Sequence, residues 1–298
     1  MDRKRTHKGF GGRAGGVPRT PHTGRTVLAP RRAASGVPDP EELLYPTRTE
    51  RVEDRRKERQ QRKLVDEFFD HATLLAIGRL VNQGQFQSVD YPISTGKEGG
   101  VFRASGPHGF RAIKIYRIGN TIFRHVPPYV IEWLRREVGA MGNTSRMIFA
   151  WTRREHTVLT QLRAADVRVP QPYACYRNVL VMEFLGSEGL PAPPMQEVVL
   201  QDPETVYRDL TTQLYRMVAT AHLVHGDLSP YNVLVLDDRP VIIDVAQAIS
   251  TEHPQARELL QRDATNFARY FRRLGVETSA QQFFEAAGGN KIAGGAAA

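Results

Sequence analysis

Hydrophobic and polar positions change rhythm several times along this chain. Over residues 1–40 there is no rhythm: Gly, Pro, Arg and Thr dominate, and large apolar side chains are few. Such a segment buries too little surface to offset chain entropy and is expected to be disordered. Residues 50–63 form a run of mixed charge with good helix formers, expected to continue into a helix over 64–82. Leu64, Phe68, Leu75 and Leu80 supply its apolar face, and Gly84 ends it. From about residue 88 the pattern alternates. Segments 89–95, 100–104 and 111–117 read as a three-stranded meander. Residues 118–144 read as irregular. Segment 145–165 reads as a helix with Ser145 as its cap, and 172–176 and 179–184 read as two more strands. Helices are expected over 203–223, leading straight into the loop at His225, and over 254–274, before a short final helix. A five-stranded sheet with one inserted helix is thus followed by a helical half, joined at 183–187. This order predicts an α+β chain of two lobes with a cleft between them.

Charge divides the chain in the same way. The net charge is +9. Residues 1–63 hold 17 Lys/Arg against 8 Asp/Glu, and residues 64–298 hold 24 of each, so the excess sits in the N-terminal arm. Such an arm suits the phosphates of RNA or a ribosome, although Phe10 is almost its only aromatic; a solvated tail is the alternative. The single cysteine, Cys175, excludes an internal disulfide and fits a reducing cytoplasm. No apolar run reaches membrane-spanning length, and the basic N-terminus has no apolar segment behind it, as a secretory signal would.

Candidate chemistry concentrates in His225-Gly226-Asp227-Leu228-Ser229-Pro230-Tyr231-Asn232 and in Val241-Ile242-Ile243-Asp244. Residues 233–236 and 240–243 read as a hairpin around the turn Asp237-Asp238-Arg239. If Leu236 faces Pro240, Asn232 faces Asp244, and opposed residues lie roughly 4.5–5.5 Å apart. Both oxygen donors can then hold one cation, which suits magnesium. Asp227, in a loop just past a helix, can accept the proton of a substrate hydroxyl; alone, it would as readily cap a turn. Asp244 ends a buried strand, where a carboxylate is costly unless paired or on a metal.

Two further residues extend this set. Strand alternation puts Ala112 and Lys114 on one face, a small residue and a cation that suit an adenine and its phosphates. Glu155 falls on the apolar stripe of its helix, with Ile148, Trp151, Val158 and Leu162, and therefore needs a cationic partner; Lys114 is the natural candidate. The turn Ser94-Thr95-Gly96-Lys97-Glu98-Gly99-Gly100-Val101 can approach phosphate oxygens. It is not a Walker A loop, which would have to open a helix.

Together these segments resemble the RIO family of atypical protein kinases, and its first subgroup in the serine-threonine start of the phosphate loop. The resemblance covers about residues 66–274, through STGKEGGV, AIKIY, Trp151–Glu155, LVMEFLG, HGDLSPYN and VIIDVAQ. It implies a bilobal protein-kinase-like fold: a small N-lobe (64–183) of antiparallel sheet plus helix, and a larger helical C-lobe (187–290). It implies ATP and Mg2+ as cofactors, with Asp227 as catalytic base and Asn232 and Asp244 on the metal. Lys114 would hold the phosphates, positioned by Glu155. Met182 would back the adenine pocket, the backbone of Glu183 and Leu185 would bond adenine, and Ser94 and Thr95 would line the phosphates. Residues 118–144 would be the family's flexible loop. Asp244 would also be a site of aspartyl-phosphate formation. Gly226 stands where ordinary kinases carry an Arg, Ser229 where many carry a Lys, and no room follows Asp244 for an activation segment. The expected activity is serine/threonine phosphorylation, including of the protein itself, or ATP hydrolysis. The alternatives are a small-molecule phosphotransferase of the aminoglycoside or choline kinase type, or an RNA or ribosome assembly factor that uses ATP as a switch.

Overall fold

The computed structural model describes residues 68–96, 98–118, 126–139 and 143–292, all in one compact unit of the chain. The arm at 1–63 lies outside the described residues. Asp70 starts helix α1 (His71–Asn82) by accepting the Thr73 N–H at 2.7 Å. Gly84 follows its end at φ 73°, a conformation that costs little only for glycine. Thr73, Ala76 and Leu80 form its buried face, and Leu75, expected there, is 54% exposed. Leu75 sits about 100° round the helix from Ala76, on the wrong side of the stripe.

Strands β1 (Ser88–Thr95), β2 (Gly99–Gly106) and β3 (Gly109–Tyr116) form the expected meander. β4 (Pro172–Tyr176) and β5 (Val179–Glu183) complete a sheet of order β1-β2-β3-β5-β4, in which every neighbour is antiparallel. One face packs on α1 through Phe68, Phe102, Ile113, Ile115 and Val181. Buried Asn178 ties the two together, donating to Thr73 Oγ1 and the Tyr116 carbonyl, each at 2.8 Å.

Two helices, not one, join β3 to the second strand pair. The stretch read as irregular holds α2 (Pro128–Val138), with Pro128 preset for the first turn and Val130 and Leu134 buried at i, i+4. Helix α3 (Thr144–Ala164) is capped by Asn143, which accepts the Arg146 N–H at 3.0 Å, and not by Ser145. The residue with an extended backbone takes the cap, and Ser145 is already inside the helix.

The second half holds two short strands, β6 (Gly186–Ser187) and β7 (Leu190–Pro191), then α4 (Pro203–Ala219), capped by Asp202. α4 stops short of 223. β8 (Leu223–Val224) intervenes before His225 and pairs with β11 (Ile249–Ser250). Between them runs the hairpin β9 (Val233–Leu236) and β10 (Arg239–Ile242). Helices α5 (Ala256–Arg273) and α6 (Ala280–Ala286) close the lobe, α6 with a full capping box from Ser279 and Gln282. Their aromatic core (Phe267, Phe271, Phe283, Phe284) is continuous with Leu159 and Leu162 of α3 and Leu180 of β5. α3 and β5 therefore join the two lobes, and both border the cleft between them.

Candidate active site

Lys114 is the centre of the cleft. β3 alternation places Ala112, Lys114 and Tyr116 on one face, and the stripe of α3 turns Glu155 inward, 2% exposed. Lys114 Nζ donates to Glu155 Oε1 and to Asp244 Oδ1, both at 2.8 Å. The Tyr116 hydroxyl donates to the other oxygen, Glu155 Oε2. Every polar atom of Glu155 therefore has a partner, as a buried carboxylate requires. Burial opposes the charge on Lys114, but the carboxylates of Asp244 and Glu155 outweigh it and hold its pKa well above the ordinary value. The charge of Lys114 pulls the Asp244 carboxyl below its usual range. Glu155 is pushed upward by burial, against the pull of Lys114.

His225 organises the loop below. It is buried, which lowers its pKa and keeps the ring neutral. Its Nδ1 accepts the Asp227 N–H at 3.3 Å, so the proton sits on Nε2, 3.0 Å from the Ile243 carbonyl. One imidazole thus joins the Asp227 loop to the strand that ends in Asp244. The Asp227 side chain is exposed at the cleft's edge, outside its lining, and partial burial raises its pKa. Gln247 Nε2 donates to Asp227 Oδ2 at 3.3 Å, and Asn232 Nδ2 donates to the Asp227 carbonyl at 2.8 Å. That second bond fixes the Asn232 amide and leaves its Oδ1 available. Gly226, at φ 78°, leaves little room for a side chain: a Cβ would lie 3.0 Å from the Tyr129 hydroxyl.

The hairpin brings Asn232 and Asp244 together, but one residue out of the expected register. Leu236 pairs with Arg239, not Pro240, and the Ile243 N–H donates to the Asn232 carbonyl at 3.0 Å. Asn232 therefore faces Ile243. The turn has two residues, Asp237 and Asp238, both at positive φ, the tight form that suits strand twist. Asp244 reaches the cleft because its own backbone turns to φ 59°, a strained conformation for a residue other than glycine. Its side chain remains 52% exposed.

The cleft, of about 640 Å³, is lined by Ser94, Val101, Ala112, Lys114, Glu155, Met182, Glu183, Leu185, Asn232 and Asp244, with Leu234 and Ile243 as its floor. Thr95 does not line it. The Glu183 N–H donates to the Gln171 carbonyl at 2.8 Å and the Ala192 N–H donates to the Leu185 carbonyl at 2.9 Å, and among the described residues the Leu185 N–H has no backbone partner. A second cavity, of about 560 Å³, lies across α3 and is lined by Tyr129, Trp133 and Arg154 among others; it contains none of the expected site residues.

Four participants went unread in the sequence. Tyr116 lies two residues after Lys114 on its face, so alternation would have found it. Gln247 and Arg154 reach the site through contacts with no sequence period. Asp263, 1% exposed on α5, lies beneath the Asp227 loop. Burial raises its pKa to about 7, against the nearby Arg262 guanidinium and the Leu228 N–H.

Two lobes joined at a cleft, with a Lys–Glu pair above and an Asp, an Asn and a second Asp below, define the protein-kinase-like class. A model of the RIO domain matches residues 100–283. The chain is 40% identical over 232 residues to the RIO-type serine/threonine-protein kinase Rio1 of Haloferax volcanii, covering 78% of this chain and 79% of that protein. It is 36% identical over 243 residues to the serine/threonine-protein kinase RIO1 of Caenorhabditis elegans, covering 80% of this chain and 48% of that one. Among solved structures, the Rio2 kinase–ADP/Mg2+–phosphoaspartate complex from Chaetomium thermophilum matches with a TM-score of 0.56 at 27% identity, covering 74% of this chain and 67% of that one. The chain belongs to the RIO family, as its motifs led us to expect.

Proposed function

We propose that this protein is an ATP- and magnesium-dependent serine/threonine kinase of RIO type, which phosphorylates itself or hydrolyses ATP by way of Asp244. The observation that carries this reading is Lys114 held 2.8 Å from both Glu155 and Asp244 inside the cleft. Ala112 and Met182 flank the adenine, the Leu185 N–H and Glu183 carbonyl bond its edge, and Ser94 borders the phosphates. The donor set fits magnesium: Asn232 Oδ1 and the Asp244 carboxylate supply two hard oxygens, leaving positions for phosphate and water. Magnesium bound there would offset the negative charge of the phosphates.

Asp227 accepts the proton of a serine or threonine hydroxyl while its oxygen bonds to the γ-phosphorus and the bond to the β-phosphate oxygen breaks, releasing ADP. The same displacement with an Asp244 oxygen as nucleophile gives an aspartyl-phosphate, which water then cleaves. Lys114 favours it by keeping Asp244 ionised. In this reading residues 64–298 form the kinase-like domain, with lobes meeting near 183–187, and the work is cytoplasmic. Among the described residues no helix is long and apolar enough to cross a membrane. The net charge of +9 carried by residues 1–63 favours their contact with RNA or a ribosome.

Labelled ATP and magnesium test this reading on wild type, Asp227→Ala and Asp244→Asn. Acid-stable protein label lost in Asp227→Ala supports serine/threonine transfer. Alkali-labile label lost in Asp244→Asn supports the acyl route. Normal labelling of Asp227→Ala removes the base assignment, and label found only on added small molecules indicates a small-molecule phosphotransferase.

A further inference from the structure

The segment after Asp244 has no activation loop to support it, yet Asp244 keeps a strained backbone at φ 59°. Strain of this kind persists only where the surroundings over-determine it. The surroundings here are side chains from other elements that take up backbone carbonyls on either side of Asp244. His225 holds Ile243 O at 3.0 Å, Tyr129 holds Gln247 O at 3.3 Å, and Arg154 holds two. Arg154 Nε donates to Ala246 O at 3.1 Å and its Nη2 to Ala248 O at 2.5 Å. Its guanidinium carbon lies 4.4 Å from the centre of the Trp133 ring of α2, and the side chain is half-buried. Arg154 is also the residue next to Glu155.

We infer that Arg154 is a positioning residue for the metal-binding carboxylate. It locks α3, and with it the Glu155–Lys114 pair, to the backbone that presents Asp244. The upper and lower halves of the phosphate site therefore move as one body without phosphorylation of any loop. A planar fork with fixed donor directions can bridge two carbonyls two residues apart; an ammonium group is a point donor and cannot do so in the same geometry. Stacking on Trp133 holds the fork in plane and extends the coupling to α2. The inference rests on the reading of Asp244 as a magnesium ligand.

Arg154→Ala and Arg154→Lys test it, the second keeping the charge and the aliphatic stem should the first not fold. Two measurements are made on the full chain. Hydrogen exchange of a peptide covering 245–248, without nucleotide or metal, reports the clamp itself; both variants lose protection there while α4 and α5 keep theirs. Equilibrium binding of a non-hydrolysable ATP analogue, with EDTA and across a magnesium titration, reports the consequence. Both variants need roughly tenfold more magnesium for half-maximal tightening, the lower end of what loss of an outer-shell partner costs. Their affinity in EDTA stays within about twofold of wild type, well below that range. Unchanged protection at 245–248 overturns the clamp. Full recovery by Lys shows that charge and not the fork matters, and overturns it too. Equal weakening with and without magnesium assigns Arg154 to general packing. If the wild type itself shows no magnesium-dependent tightening, the metal reading of Asp244 fails, while the exchange data still decide the clamp.

Discussion

Glu155 in the upper lobe and Asp263 in the lower are both carboxyls sealed from solvent, at 2% and 1% exposure, and they are provisioned in opposite ways. Glu155 has a cation on one oxygen and a hydroxyl on the other. Neither oxygen of Asp263 has a hydrogen-bond partner in good geometry, and Arg262 Nη2 stands 3.6 Å from one of them. Burial favours the neutral form of any carboxyl, and only Glu155 has donors enough to resist it. The upper carboxyl is built to hold a charge, and with it the orientation of Lys114. The lower one is built close to neutrality, under the loop that carries Asp227.

The largest expected effect comes from removing the cation. Lys114→Ala leaves Glu155 buried without its charge partner, a change that costs about 3–5 kcal/mol of stability. Urea unfolding should show a much lower midpoint at unchanged slope, and adding Glu155→Gln should restore part of it, because a neutral amide is cheaper to bury. A midpoint close to wild type would mean that Glu155 is neutral already, and the contrast with Asp263 would disappear.

Asp263 tests the other side. Its pKa rises from 3.8 to about 7 on folding. Between those values the folded state holds a proton that the unfolded state lacks, so stability falls as pH rises from about 4 to about 7. At about 1.4 kcal/mol per pH unit the loss is roughly 4 kcal/mol. Asp263→Asn removes this dependence, because its amide does not titrate. The variant should match wild type near pH 4 and exceed it in urea midpoint at pH 8. Parallel pH profiles for the two proteins would show that Asp263 is ionised in the fold, and hence better provisioned than its contacts indicate.

What the sequence disclosed follows from how local each signal is. The sheet, the Ala112/Lys114 face and the position of Glu155 on its stripe come from periods of 2 and 3.6, and the structure reproduces them. The same stripe argument reaches Asp263, three residues after Leu260 and four before Phe267 on α5, although charged neighbours hide it. The expected hairpin register differs by one because it assumes a three-residue turn, and the tight two-residue turn shifts every later pair. α2 was hidden because only Val130 and Leu134 mark its buried side. Arg154 could not be read at all: its partners lie 92 and 94 residues away, and carbonyl oxygens have no sequence identity.

Tyr116→Phe gives the smallest of these effects and the sharpest test of how Glu155 is held. The ring stays, so packing on β3 is preserved, and only the hydroxyl on Glu155 Oε2 is lost. If Lys114 alone secures the carboxylate, the variant is nearly neutral. If the second donor matters, one buried oxygen loses its partner, which costs about 1–3 kcal/mol. Glu155 then resembles Asp263 by half: its pKa rises further, and its hold on Lys114 weakens. On the proposed role of Lys114 at the phosphates, in the bound state as well as during transfer, the KM for ATP should rise several-fold with a smaller change in kcat. That split, measured beside the urea midpoint, separates loss of positioning from simple loss of stability. An unchanged midpoint together with an unchanged KM would leave Lys114 as the sole support of the buried charge.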